Sequence, residues 1–104
     1  MRKARVYNLG VSCGYLEELV KGKKYRFAYL DEYAGIPISL TMPVSNKEYI
    51  YDEFPPFFDG LLPEGVMLEG LLRKAKLDKY DLFGQLMLVG GDMVGSVTVE
   101  EIYE

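Results

Sequence analysis

The sequence predicts an α+β fold, a small antiparallel sheet with two helices packed on one face. Tyr25, Phe27 and Tyr29 alternate with Lys24, Arg26 and Ala28, the period-two pattern of a half-buried strand. After Pro63 the apolar spacing turns helical, and at Val97 and Val99 it returns to alternation. At 104 residues, with 49% hydrophobic and 13% aromatic content, the chain can bury one core, so a single domain over 1–104 is expected.

Arg5 to Leu9 reads as the first strand and Asn8-Leu9-Gly10 as a turn. Ser12 to Leu19 reads as the second strand, with Gly14 a bulge or a point of close approach. Lys21-Gly22-Lys23 turns the chain into the Tyr25–Tyr29 strand, and Asp31 to Gly35 makes one further turn. Ile38, Leu40 and Met42 alternate with Ser39 and Thr41 between Pro37 and Pro43, which predicts an edge strand or extended segment. Residues 44–58 are the least regular part, and Pro55 with Pro56 are expected to forbid helix there.

Pro63 suits the first position of a helix and Glu64 its positive end. Met67, Leu68, Leu71, Leu72 and Ala75 form its apolar stripe. Gly65 and Gly70 each weaken it by about 1 kcal/mol relative to alanine, so close packing against a neighbour is expected, and whether that neighbour belongs to this chain stays open. In a second helix Asp78 is the N-cap, Asp81 the third position, and Leu77 with Leu82 a hydrophobic staple. Leu82, Phe83, Leu86 and Met87 form its buried stripe, and Gly90 or Gly91 its stop. In the closing strand Val97 and Val99 face one side, Ser96, Thr98 and Glu100 the other.

The composition excludes much chemistry. Without histidine the Ser-His-Asp and Cys-His arrangements cannot form, and one cysteine cannot build a zinc site. No ordered acidic loop of the calcium-binding kind is present, which leaves only an oxygen-ligand magnesium site open. Asp59 and Glu64 are the most plausible acid/base pair, yet a turn and a helix N-terminus account for both. The run from Gly90 to Gly95 lacks the lysine and the preceding strand of a phosphate loop. No catalytic residue, cofactor or metal is therefore expected. Twelve basic against sixteen acidic residues give a net charge of −4, which disfavours nucleic-acid binding by the chain alone. The basic clusters, Arg2, Lys3 and Arg5 among them, read as solvated faces. Cys13 reads as a buried thiol. With no signal-peptide pattern and no membrane-length apolar run, a cytoplasmic protein is expected.

The segment from Phe57 to Met67 carries the specific signal. Paired aromatics, paired leucines and a proline sit at an irregular turn ahead of a helix, where chains place recognition more than bulk stability. The partner-binding candidates are Phe57, Phe58, Leu61, Pro63, Glu64, Val66 and Met67. For Phe57, Phe58, Leu61 and Leu62 both core and interface stay open, whereas Val66 and Met67 fall where the chain is expected to protrude.

In order along the chain come Gly14-Tyr15-Leu16, then Tyr25 to Tyr29, then Pro37 to Pro43, then Pro56 to Gly65. Asp81-Leu82-Phe83 and Gly91 to Val97 follow. This series resembles the N-terminal subdomain of HipA-type serine/threonine kinases, toxins of bacterial toxin–antitoxin modules. The P-F-F-x-G-L-L-P-E-G block is its specific element. The ATP-binding lobe, the catalytic aspartate and the metal-binding aspartate of that family have no counterpart here. The chain begins with its own Met1 and stops just after the last matching strand. It thus looks like the HipS class of split, three-gene HipBST systems, whose kinase lacks this subdomain. The resemblance implies a HipA N-terminal subdomain-like fold and a non-enzymatic antitoxin. Its partner would be a HipT-like serine/threonine kinase toxin, with a HipB-like helix-turn-helix DNA-binding protein in a larger complex. The alternative is a non-inhibitory structural subdomain of a longer HipA-type kinase.

Overall fold

A computed structural model describes residues 2–91 and 95–102. Five strands, β1 (Arg2–Asn8), β2 (Val11–Val20), β3 (Lys24–Tyr29), β4 (Glu48–Tyr51) and β5 (Val97–Ile102), form one antiparallel sheet in the order β4-β3-β2-β1-β5. Three helices, α1 (Pro56–Asp59), α2 (Gly65–Ala75) and α3 (Leu82–Val89), lie between β4 and β5 in sequence. The architecture is the α+β class that the patterning predicts.

One face of the sheet is apolar. Ala4 and Val6 of β1, Leu16 of β2, Tyr25, Phe27 and Tyr29 of β3 and Val97 with Val99 of β5 are all buried there. Register explains their convergence, since Ala4 lies opposite Leu16, Leu16 opposite Phe27, and Val6 opposite Val99. Phe58 of α1 packs on Phe27 with ring centroids 5.9 Å apart, and Phe83 of α3 stacks on Tyr25 at 6.5 Å. The opposite face bears charge pairs and aromatics instead. Arg26 bridges Glu17 and Glu48, while Lys3 and Arg5 lie over the Tyr15 ring.

Gly14 fulfils both of its expected roles. The β1–β2 register slips beside it, leaving Cys13 in a bulge, and a Cβ at Gly14 would collide with the Ala28 carbonyl. The Cys13 thiol is buried, donates to the Val6 carbonyl at 3.4 Å, and is pushed up to about 11 by burial, which makes it unreactive.

Several expectations are corrected. The segment from Ile38 to Met42 is a turn and not a strand. Met42 N–H bonds back to the Ser39 carbonyl, and Leu40 is 97% exposed. The edge strand is β4, inside the stretch read as irregular; Tyr49 and Tyr51 face the core while Glu48 and Ile50 are exposed. Helix does form at the proline pair, because Pro56 occupies N1, where its missing N–H removes no bond. Helix α2 starts two residues after Pro63, with Glu64 at the N-cap and Gly65 as its first residue at φ +60°, a left-handed entry that favours glycine. Asp81, not Asp78, caps α3: its carboxylate accepts from Gly84 N–H at 3.1 Å, while Asp78 closes the preceding turn through Tyr80 N–H. Gly90 ends α3 and lies so close to β5 that a Cβ would strike the Val99 carbonyl. Asp92, Met93 and Val94, part of the glycine-containing run, lie outside the described residues.

Arg2 is not a solvated cation. Its Nε donates to Glu18 Oε1 at 2.8 Å and its Nη2 to Glu18 Oε2 at 2.9 Å. Nη2 also donates to Asp81 Oδ1 at 2.7 Å, and Nη1 to Asp81 Oδ2 at 3.1 Å. The guanidinium carbon sits 5.1 Å from the centre of the Phe83 ring. One side chain thereby joins the start of β1, the end of β2 and the N-terminus of α3. Arg2 holds the Asp81 carboxyl below its ordinary pKa.

Two predictions follow from this packing. Asp81 has a depressed folded pKa, so its contribution is complete above the ordinary carboxylate pKa near 4 and is lost as pH falls through the folded value. Asp81→Asn should cost about 1–2 kcal/mol at neutral pH. In urea unfolding, its deficit against the parent should shrink below about pH 4. The glycines should separate by sign. Gly14→Ala should destabilise by about 1–3 kcal/mol through collision. Gly70→Ala, where nothing lies within 4 Å of the added methyl, should stabilise by up to about 1 kcal/mol. Equal unfolding midpoints for the two variants would refute this reading of Gly14.

Candidate functional site

The Phe57–Met67 segment changes from core to surface along its length. Phe58 is fully buried and meets Phe57 edge-on at 5.1 Å. Its ring fills the space over Phe27, so of the two roles open for Phe58 the structure shows core packing, and its side chain presents no surface to a partner in this conformation. Leu62 is also buried, while Phe57, Leu61 and Pro63 are half-buried at the core's margin. Glu64 is exposed, and beyond it Val66 is 85% and Met67 76% exposed.

Local chemistry sets this progression. Leu61 N–H bonds to the Phe58 carbonyl and Leu62 N–H to the Asp59 carbonyl, each at 3.1 Å, so the chain leaves α1 in a tight turn that tucks Leu62 under. Glu64 is extended at φ −130°, Gly65 swings left-handed, and α2 begins pointing Val66 and Met67 at solvent. Helix α2 contains no buried residue. Leu68, Leu71, Leu72 and Ala75 are only half-buried, and Met67 departs from the predicted stripe. The close neighbour expected for Gly70 is missing among the described residues. Lys76, left-handed at φ +57°, closes the helix by donating its N–H to the Leu72 carbonyl, a position where glycine is usual.

A second apolar patch lies at the other end of α2. Leu88 on α3 is 48% exposed and lines a shallow groove with Ala75, Leu77 and Met87. Leu88 falls off the predicted buried stripe of Leu82, Phe83, Leu86 and Met87, so periodicity already turns it outward, but it lies outside the Phe57–Met67 segment on which the sequence reading centres. The carboxylates of Asp59 and Glu64 are both exposed, and among the described residues no hydrogen-bond donor fixes either for acid/base work. Among the described residues no cluster of three or more ligating side chains could hold a metal, and no helix is long and apolar enough to cross a membrane.

Known proteins give this geometry a context. An uncharacterised protein of Haemophilus influenzae is 32% identical over 101 residues, covering 97% of this chain and 93% of its own length. A solved structure described as the N-terminal domain of HipA toxin superposes with a TM-score of 0.79 at 28% identity, covering all of this chain and 95% of that one. The family model for the HipA N-terminal domain matches residues 4–100, nearly the whole of the sheet and all three helices. The protein belongs to the HipA N-terminal domain family.

Proposed function

We propose that this protein is an antitoxin that binds and neutralises a HipT-like serine/threonine kinase toxin lacking this domain, and that it has no enzymatic activity of its own. The observation that carries the reading is the exposed start of α2. Val66 and Met67 stand out on a helix with no buried residue, in a domain whose family relatives include part of a toxin. Exposed aliphatic side chains joined to a well-packed anchor are the material of an interface hot spot. Phe57, Leu61, Pro63 and Glu64 flank them and would form its margin. A HipB-like DNA-binding protein would complete a larger complex, supplying the nucleic-acid contact that a chain of net charge −4 does not favour by itself. A cytoplasmic location belongs to the same proposal.

A second reading is a structural domain that supports a HipA-type kinase without inhibiting it. The similarity to the N-terminal domain of a toxin favours it. Growth separates the two: the neighbouring kinase is expressed with and without this chain, and the proteins are co-purified. Rescue with co-purification supports the antitoxin, and co-purification without rescue supports the structural domain.

Val66→Asp and Met67→Asp should each weaken kinase binding by about tenfold or more, with unfolding midpoints unchanged. Phe58→Ala should instead lower stability by about 3–5 kcal/mol. Unchanged affinity in both aspartate variants, measured by calorimetry, would place the interface elsewhere.

A further inference from the structure

Positive charge is concentrated in two short segments of the chain. Residues 21–24 and 73–79 hold seven of its twelve cations but only one of its sixteen acidic residues, Asp78. The rest of the chain keeps five cations against fifteen acids, so the net charge of −4 describes the whole molecule and not this part of it. Lys21, Lys23 and Lys24 are exposed on the β2–β3 turn. Arg73, Lys74, Lys76 and Lys79 are exposed at the end of α2 and in the loop that follows. The fold brings that turn and that loop face to face: Lys21 and Gly22 line one wall of a cleft, Asp78 and Tyr80 the other. Tyr80 is 78% exposed, with Lys79 Nζ 5.0 Å from the centre of its ring.

Buried polar groups hold both loops in place. Gly22 N–H donates to Glu18 Oε2 at 3.1 Å and Lys23 N–H to the Val20 carbonyl at 2.9 Å, which fixes the turn. Across the cleft Gln85, only 1% exposed, donates its Nε2 to the Lys79 carbonyl at 3.0 Å and to the Asp78 carbonyl at 3.3 Å. Tyr80 N–H donates to Asp78 Oδ1 at 2.9 Å. Arg2 then ties the two loops to each other, since its partners Glu18 and Asp81 stand at their roots. Glutamate and glutamine are seldom buried, and here both secure loops whose cationic tips face solvent. Loops held this firmly lose little entropy when a ligand settles on them.

We propose that these two loops bind a single-stranded nucleic acid, with the lysines on its phosphates and a base stacked on Tyr80. The exposed tyrosine favours a nucleic acid over other polyanions, because every base offers a π face to stack on an aromatic ring. Segregation of charge favours a strand. A bilayer or a broad acidic protein surface would also meet the fifteen acids of the remaining chain, whereas a flexible strand can touch this patch alone. Unpaired bases are free to turn outward and reach a side chain, which paired bases are not. The proposal does not rest on the antitoxin reading: it uses no residue of the Phe57–Met67 segment, and its test needs no kinase.

The test is fluorescence anisotropy of a labelled oligothymidine strand of about ten nucleotides, titrated with the full chain. Saturable binding is expected at about 50 mM salt, weakening roughly 100-fold by about 200 mM, the loss for about five neutralised phosphates on a single strand. Lys23→Ala and Lys79→Ala should each reduce the slope of log affinity against log salt by about 0.7. Tyr80→Ala should weaken binding about fivefold or more and leave that slope in place. All three positions are exposed, so the losses should come with unchanged unfolding midpoints. Absence of saturable binding at the lower salt would overturn the proposal, as would parental affinity in Tyr80→Ala. Equal affinity for a duplex of the same length, or for polyglutamate, would overturn it by making the patch a general anion surface. Binding to phosphatidylserine vesicles with none to the strand would overturn it in favour of a membrane.

Discussion

The guanidinium of Arg2 holds the molecule's closed end together. It pairs with Glu18 and Asp81 at once and lies over Phe83, so β1, β2 and α3 cannot separate without leaving charge unpaired. Such a clasp adds little net stability compared with apolar groups of equal volume, because all three charges are partly withdrawn from water. Its effect lies in what is lost when it breaks. A stranded Glu18, 4% exposed, would be costly, so alternative placements of α3 are penalised. Through this constraint Asp81 caps the helix where Phe83 can stack on Tyr25, and the remaining core packs around that pair.

Two glycines let neighbouring elements approach closely. Gly14 admits the β3 backbone at the bulge, and Gly90 admits β5 against the end of α3, where Val99 N–H reaches the Gly90 carbonyl at 2.9 Å. Helices α1 and α3 then seal the apolar face with Phe58, Phe83 and Leu86. Nothing in that core requires α2. The domain can therefore present an amphipathic helix without exposing its own interior, a separation that suits the proposed role.

Much of this was legible in the sequence because side-chain period reports burial directly. Tyr25-Phe27-Tyr29 and Val97-Val99 place their strands and faces correctly, and Phe83 with Leu86 marks the buried side of α3. Where reading failed, local patterns had two physical solutions. Ile38, Leu40 and Met42 alternate like a strand, but hydrogen bonds from the Tyr29 hydroxyl to the Met42 carbonyl and from Ile38 N–H to the Tyr29 hydroxyl hold that segment as a loop over the core. The short β4 was hidden because tyrosines at 49 and 51 look like loop aromatics until their pairing with Phe27 and Tyr25 is known. Asp78 and Asp81 are both good caps by residue type, and only the pull of Arg2 separates them. The candidate site was legible as a segment but not residue by residue, since Phe57 and Phe58 are adjacent and chemically alike while only Phe58 is fully buried.

That split within one segment bears on how recognition could work. A stable protein interface commonly covers about 800 Å² on each partner, far more than one valine and one methionine supply. A partner that engages Val66 and Met67 must therefore also cover half-buried surface, and the available neighbours are Phe57, Leu61 and Pro63 on one side and the flank of α2 on the other. Those neighbours are joined through Phe58 and Leu62 to the closed core, so a contact made there would use surface already held in shape and would lose little entropy. Helix α2 is the opposite case, with Gly70 exposed and no buried anchor. Under the proposed reading, the turn would supply a fixed edge, and α2 a helix face that this domain's own core does not need.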